Sequence, residues 1–222
     1  MTENTAQRYC PSCGLTTDEA YCPADGVMTV IRAKLDVDAT VVHEGDIIDG
    51  RYRIGGLLGR GGFGAVYSAE HTGTQQKVAV KMMLPNPAGV DEDQIRRFYR
   101  EAQVTASLRH PNTVRVFDVG QVDSGALYIT MELLHGPTLE QAFRAESAKG
   151  GVLGEARAIE VALPILRSLH EAHKKGLVHR DLKPANIMLS RMSEEEDDDD
   201  DDGEIVVKVL DFGIAKPQDS SL

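Results

Sequence analysis

The run Gly59-Arg60-Gly61-Gly62-Phe63-Gly64 constrains this chain more than any other stretch, because of the residues on its C-terminal side. Glycines at this spacing open either a helix, as in dinucleotide-binding folds, or a turn between two strands. Here Ala65-Val66-Tyr67-Ser68-Ala69 comes next, a poor helix start and a good strand. Residues 52–58 precede it with the same strand character, and residues 76–82 form a third such run after a Thr-Gly turn. The glycines therefore belong at the tip of a hairpin in an antiparallel sheet.

The rest of the pattern extends this start. Ile95, Phe98, Ala102, Thr105 and Leu108 recur at helical spacing over residues 91–108, with Asp91 as N-cap. Residues 114–120 and 127–133 read as two more strands. Residues 138–145 read as a short helix and 155–175 as a longer one ended by Gly176. Pro164 inside the longer helix should kink it or cost about 3 kcal/mol. The last strands are 187–189 and 206–210. Strands, helix, strands and helices in that order imply an α+β fold with a β-rich lobe followed by a helical one.

Charge narrows the function classes. The 222 residues carry a formal net charge of −11, of which the acids at 194–202 supply −9 and leave −2 for everything else. A near-neutral body with one acidic run is not a nucleic-acid binder. Like charges in sequence repel and resist burial, so residues 191–203 are expected to be a solvated, disordered insertion between the last two strands, whose ends can still pair. There is no 18-residue apolar run and no apolar leader after Met1, which points to a chain without a membrane segment, in the cytoplasm. The organisation expected is a Cys-containing knuckle at 9–26, a linker at 27–49 with strand character at 28–32, and a globular domain at 50–216.

Several positions carry chemistry. Glycines let backbone N–H groups approach phosphate oxygens closely. Lys81 ends the apolar strand Val78-Ala79-Val80, where such a lysine is either a solvated strand end or a phosphate ligand beneath the glycine turn. Glu101 lies inside the helix, able to pair with Lys81, Arg97 or Arg100. Further on come His179-Arg180-Asp181-Leu182-Lys183-Pro184-Ala185-Asn186 and, after the last strand, Asp211-Phe212-Gly213.

These five elements, in this order, resemble the protein kinase family, and Lys-Pro-Ala-Asn, Asp-Phe-Gly-Ile-Ala-Lys and His110-Pro111-Asn112 are similar to its bacterial serine/threonine branch. The resemblance spans roughly residues 51–216 and implies a two-lobe kinase-like fold with a complete β-rich N-lobe and only the first part of the helical C-lobe. It implies ATP as ligand, a Ser/Thr-containing protein as substrate, and Mg2+, or Mn2+ in its place. Asp181 would accept the substrate hydroxyl proton, Lys183 would steady the γ-phosphate, and Asn186 and Asp211 would hold the metal. Leu58, Gly59, Arg60, Gly61, Gly62, Phe63, Gly64, Ala65 and Val66 would cover the nucleotide. Lys81, oriented by Glu101, would reach its phosphates. Met131, Glu132 and Leu134 would flank the adenine, with Ala79, Val66 and Met188 sandwiching the ring. Arg180 would pair with a phosphorylated residue of the activation segment. No Ala-Pro-Glu motif occurs between Gly213 and Leu222, so the expectation is a kinase domain truncated after Asp-Phe-Gly, with an apolar face left exposed and either poor solubility or dependence on a partner.

Cys10, Cys13 and Cys22, with Asp25, form a separate feature. Tyr9-Cys10-Pro11-Ser12-Cys13-Gly14 recurs as Tyr21-Cys22-Pro23-Ala24-Asp25-Gly26. The spacing fits a short zinc ribbon with Asp as fourth ligand, or a reduced, metal-free relic of one. Three functions are compatible with these features: a serine/threonine kinase, an ATP-binding module without transfer, or a zinc-ribbon adaptor.

Overall fold

The computed structural model describes residues 7–31, 42–61, 64–83, 92–122, 124–151, 154–191 and 205–212. Asp91, residues 192–204 with the acidic run at 194–202, Gly62, Phe63 and everything from Gly213 onward lie outside them. The chain divides into two units, one made of residues 1–103 and 116–133, the other of 104–115 and 134–222.

Three short strands start the first unit: β1 (Arg8–Tyr9), β2 (Thr16–Thr17) and β3 (Val30–Ile31), ordered β2-β1-β3. A six-stranded antiparallel sheet comes next, built from β4 (Ile47–Ile48), β5 (Tyr52–Gly61), β6 (Gly64–His71), β7 (Lys77–Met83), β8 (Val116–Gln121) and β9 (Leu127–Glu132), ordered β4-β5-β6-β7-β9-β8. Alternation along β7 sorts its side chains onto two faces. Val78, Val80 and Met82 pack with Ile54, Ala65, Tyr67 and Tyr128. Met83, on the other face with Lys81, packs with Leu127, Ile129 and the helix α1 (Glu92–Ser107) through Ile95, Phe98 and Ala102. The helical period read in the sequence is thus the buried stripe, and Lys81 shares the sheet face that α1 covers.

In the second unit, β10 (Ile187–Arg191) and β11 (Ile205–Val209) pair antiparallel from Ile187↔Val209 to Arg191↔Ile205, so the strands flanking the acidic run do meet. They pack with α2 (Leu139–Ala148) and α3 (Glu155–Lys174) around Leu108, Val161, Ala172, Leu189, Val207, Val209 and Phe212. Thr138 caps α2 in a reciprocal box with Gln141, which satisfies two end amides. Helix α3 stays α-helical through Pro164. Ile159, Leu163 and Leu166 of α3, with Val178 and Leu182, stay exposed.

The structure corrects two sequence expectations. In the segment expected as a linker with strand character at 28–32, Val30–Ile31 is a strand as expected and residues 32–41 lie outside the described residues, but Ile47–Ile48 also adds a strand to the sheet. An Asp49-Gly50 turn with positive φ at both residues connects that strand to β5. The strand expected from residue 114 begins at Val116, because the Val114 amide is bonded to the Val209 carbonyl at 2.9 Å in the second unit.

Candidate active site

The glycine-rich turn is a strand-to-strand hairpin, as the strand after it required. Gly59 pairs with Val66, Arg60 with Ala65 and Gly61 with Gly64. Leu58, Gly59, Arg60 and Gly61 are exposed, while Gly64 and Ala65 are buried. Gly64 is required sterically. A Cβ there would stand 2.2 Å from the Met82 carbonyl oxygen, because β6 and β7 approach closely at that point. Val66 is paired with Lys81, and Ala79 with Met131, so four of the expected nucleotide contacts are direct neighbours across β6, β7 and β9. Glu132 ends β9 and is half-buried. Leu134 and Met188 belong to the second unit, where Met188 bridges to Thr138.

Lys81 Nζ donates to Glu101 Oε1 at 2.8 Å, with each side chain 12% exposed. This resolves the pairing that the sequence leaves open among Lys81, Arg97 and Arg100. Glu101 lies almost one helical turn beyond Phe98, so the packing of α1 carries it to the sheet face that bears Lys81.

In the second unit, the residues after α3 form a knot of polar contacts. Lys183 Nζ donates to Asp181 Oδ2 at 2.8 Å. Asn186 Nδ2 donates to the Asp181 carbonyl at 2.9 Å and to Asp181 Oδ2 at 3.2 Å. With its amide nitrogen so used, Asn186 keeps its side-chain oxygen as an acceptor. The Leu210 amide donates to the Asn186 carbonyl at 2.9 Å, which ties the two ends of the β10–β11 hairpin together and sets Asp211 next to that junction. A carboxylate and an amide oxygen there fit a hard divalent cation such as Mg2+. Arg180 and Asp211 both take left-handed backbone, φ 59° and 40°, which is uncommon outside glycine and concentrates at functional sites.

The sequence pattern gives His179 no separate role. It is buried, its Nε2 lies 2.8 Å from the Leu210 carbonyl, and its ring stacks tilted on Phe212 with centroids 4.7 Å apart. Burial pushes its pKa below the ordinary imidazole value, against the opposing bond to Leu210. Nε2–H donates to that carbonyl in the neutral ring, and Nδ1 has no hydrogen-bond partner among the described residues. The first and last motifs of this loop thus support each other through one histidine. Glu171 is likewise silent in the sequence. It accepts from the Arg109 and His110 amides and from Lys175 Nζ, pinning the His110-Pro111-Asn112 turn to α3.

Cys10, Cys13, Cys22 and Asp25 converge as well, with one ligand atom from each lying within 4.8 Å of all the others.

A glycine-flap hairpin, a lysine–glutamate pair and an Asp–Lys–Asn loop beside a histidine-backed Asp211-Phe212 define a protein kinase. The protein kinase domain family matches residues 52–221, and this chain belongs to that family. It is 40% identical over 180 residues to the serine/threonine-protein kinase pkn3 of Myxococcus xanthus, an alignment covering 81% of this chain and 30% of that protein. Against the serine/threonine-protein kinase PrkC of Bacillus subtilis, identity is 37% over 177 residues, covering 80% and 24%. The solved PknI kinase domain of Mycobacterium tuberculosis matches with a TM-score of 0.64 at 32% identity, covering 79% of this chain and 64% of that one. The chain therefore spans about a quarter to a third of the curated relatives it matches. Among the described residues, no helix is long and apolar enough to cross a membrane.

Proposed function

We propose that this chain provides the ATP-binding and catalytic residues of a serine/threonine protein kinase, transferring the γ-phosphoryl group of ATP to a Ser or Thr hydroxyl of a protein, in the cytoplasm. The observation that carries the reading is the convergence of Lys183 and Asn186 on the Asp181 carboxylate. Phosphoryl transfer asks for placement and charge compensation rather than covalent help from the protein. Asp181 takes the proton from the substrate hydroxyl. The hydroxyl oxygen then bonds to the γ-phosphorus, the bond from that phosphorus to the β–γ bridging oxygen breaks, and ADP leaves with the electron pair. Lys183 stabilises the equatorial oxygens of the transferring group. Lys81, held by Glu101, binds the other phosphates, and the backbone amides of Gly59, Arg60, Gly61 and Gly64 are assigned to cover them. Met131, Glu132, Leu134, Ala79, Val66 and Met188 are the residues assigned to adenine. Asn186 and Asp211 would hold a divalent ion, Mg2+ or Mn2+, which would supply positive charge to the phosphates when bound.

Calorimetry with ATP and Mg2+, set beside phosphoryl transfer to a generic basic protein, tests the reading. Asp181→Asn is expected to retain ATP affinity and to lose about 10²–10⁴-fold in transfer rate, the range general-base catalysis supplies. ATP binding with no transfer in either form would reduce the chain to a nucleotide-binding module, and no binding at all would defeat the proposal.

A further inference from the structure

The knuckle is built from two copies of one turn. Cys10 N–H donates to the Leu15 carbonyl at 2.8 Å and Gly14 N–H to the Cys10 carbonyl at 3.0 Å. Cys22 N–H donates to the Val27 carbonyl at 2.7 Å and Gly26 N–H to the Cys22 carbonyl at 2.8 Å, the same two bonds at the equivalent positions. Gly14 and Gly26 take φ of 82° and 70°, which explains why the repeat ends on glycine in both copies. Each turn therefore aims two side chains inward: Cys10 and Cys13 from the first, Cys22 and Asp25 from the second.

The spacing of those side chains suits one metal ion. Cys13 Sγ lies 3.6 Å from Cys22 Sγ, and Cys10 Sγ lies 3.5 Å from each Asp25 oxygen. A tetrahedron with Zn–S near 2.3 Å and Zn–O near 2.0 Å has S–S edges of about 3.8 Å and S–O edges of about 3.5 Å. The Cys13 amide also points at Cys10 Sγ, 3.5 Å away, a contact that stabilises thiolate charge.

The knuckle is also joined to the helix that carries Glu101. Tyr9, next to Cys10, is 1% exposed and packs in one core with Ile95, Phe98 and Ala102 of α1. Arg96, on the same helix, donates to the Tyr9 hydroxyl from Nη2 at 3.0 Å. Ile31, paired with Arg8 next to Tyr9, and the Gln121 side chain exchange two hydrogen bonds, of 2.8 Å into the side-chain oxygen and 3.1 Å from its nitrogen. The tyrosine adjoining Cys10 is thus packed against the helix that presents Glu101 to Lys81.

We propose that Cys10, Cys13, Cys22 and Asp25 bind one zinc ion, and that the zinc-held knuckle buttresses α1, so that the Lys81–Glu101 pair depends on metal occupancy. Metal binding would add folding energy to a knuckle that otherwise rests on a few buried residues such as Tyr9, Cys10 and Cys22. Loss of the ion frees Tyr9, α1 loses its outer support, and Glu101 no longer fixes Lys81. The consequence for nucleotide binding rests on the kinase reading above; the metal site and its hold on α1 do not.

The test uses the whole chain, loaded with zinc and then treated with a chelator. One zinc per chain is expected, and cobalt in its place should show the charge-transfer and intense visible bands of a tetrahedral thiolate site. Zinc removal should raise hydrogen exchange across Glu92–Ser107 and weaken ATP binding about fivefold or more, a size ordinary for coupled sites. Cys13→Ser, at an exposed ligand, should reproduce both effects. Tyr9→Phe should keep the zinc yet loosen α1, which separates the contact from gross loss of the knuckle. Absence of bound zinc overturns the site. Bound zinc whose removal leaves α1 exchange unchanged overturns the coupling. If α1 responds to zinc while ATP binds in neither state, the kinase reading fails and this inference stands.

Discussion

At the scale of single residues, the consequential positions are those where a side chain, or its absence, has one workable solution. Gly64 is such a position: its Cβ would fall 2.2 Å from the Met82 carbonyl, backbone that cannot swing aside as a side-chain tip can. Gly64→Ala should cost about 1–3 kcal/mol in urea unfolding, the ordinary penalty for overpacking, and should weaken ATP binding by disturbing the flap. Glu101 is a second. Replacing it with Ala leaves Lys81 largely buried without the carboxylate that orients it. Removing one member of a buried pair destabilises strongly, so Glu101→Ala should lose about 3 kcal/mol of stability and more transfer activity than ATP affinity. Equal losses in both would show that the pair binds nucleotide without orienting it.

At the scale of elements, joints between segments govern the response to pH. Burial disfavours ionisation of Glu171, yet Lys175 and the Arg109 and His110 amides outweigh it and hold the carboxyl below its ordinary 4.5. A lowered carboxyl pKa contributes stability above the unfolded value, and this is lost as pH falls through the folded one. His179 acts in the same direction by a different route. Its folded pKa lies below the ordinary 6.5, so the unfolded chain binds a proton first as pH drops beneath 6.5. Chemical unfolding at pH 7.5 and pH 5.5 should show lower stability at pH 5.5, with the difference reduced in His179→Phe, which keeps the stack on Phe212 and removes the titrating group. Glu171→Gln should leave that interval unchanged and flatten the loss below pH 4.5 instead. Element boundaries reflect the same joints: residue 114 has the β-branched neighbourhood of a strand, but its amide is claimed by Val209.

At the scale of the whole molecule, exposed apolar surface sets behaviour in solution. Ile159, Leu163 and Leu166 stand on the outer side of α3, and Val178 and Leu182 are exposed in the loop after it. Apolar side chains grouped in this way promote association. Sedimentation should show self-association rising with concentration, and Ile159→Glu combined with Leu166→Lys should suppress it without changing ATP affinity. A concentration-independent monomer before substitution would contradict this expectation.

Much of the architecture was legible because it rests on local rules. Alternation marked the sheet, the 3.6-residue period of Ile95, Phe98 and Ala102 marked the buried stripe of α1, and a strand after Gly64 separated a hairpin flap from a helix-opening loop. Five motifs in order then identified the family, and the repeated turn with its three cysteines marked a candidate metal site. What depended on tertiary structure were contacts between segments distant in sequence, which local pattern does not encode. Lys81 secured Glu101 over the neighbouring arginines' claim on it because α1 packs on one face of β7. His179 joined Phe212 because their segments share a core. Within the stretch expected as a linker, Ile47–Ile48 is an added strand and Ile31 bonds to Gln121, ninety positions away, a partner that a few short-range letters cannot announce. Tyr9 looked like half of a repeat, and only packing against Arg96 and the buried face of α1 gave it a place beside the helix that carries Glu101.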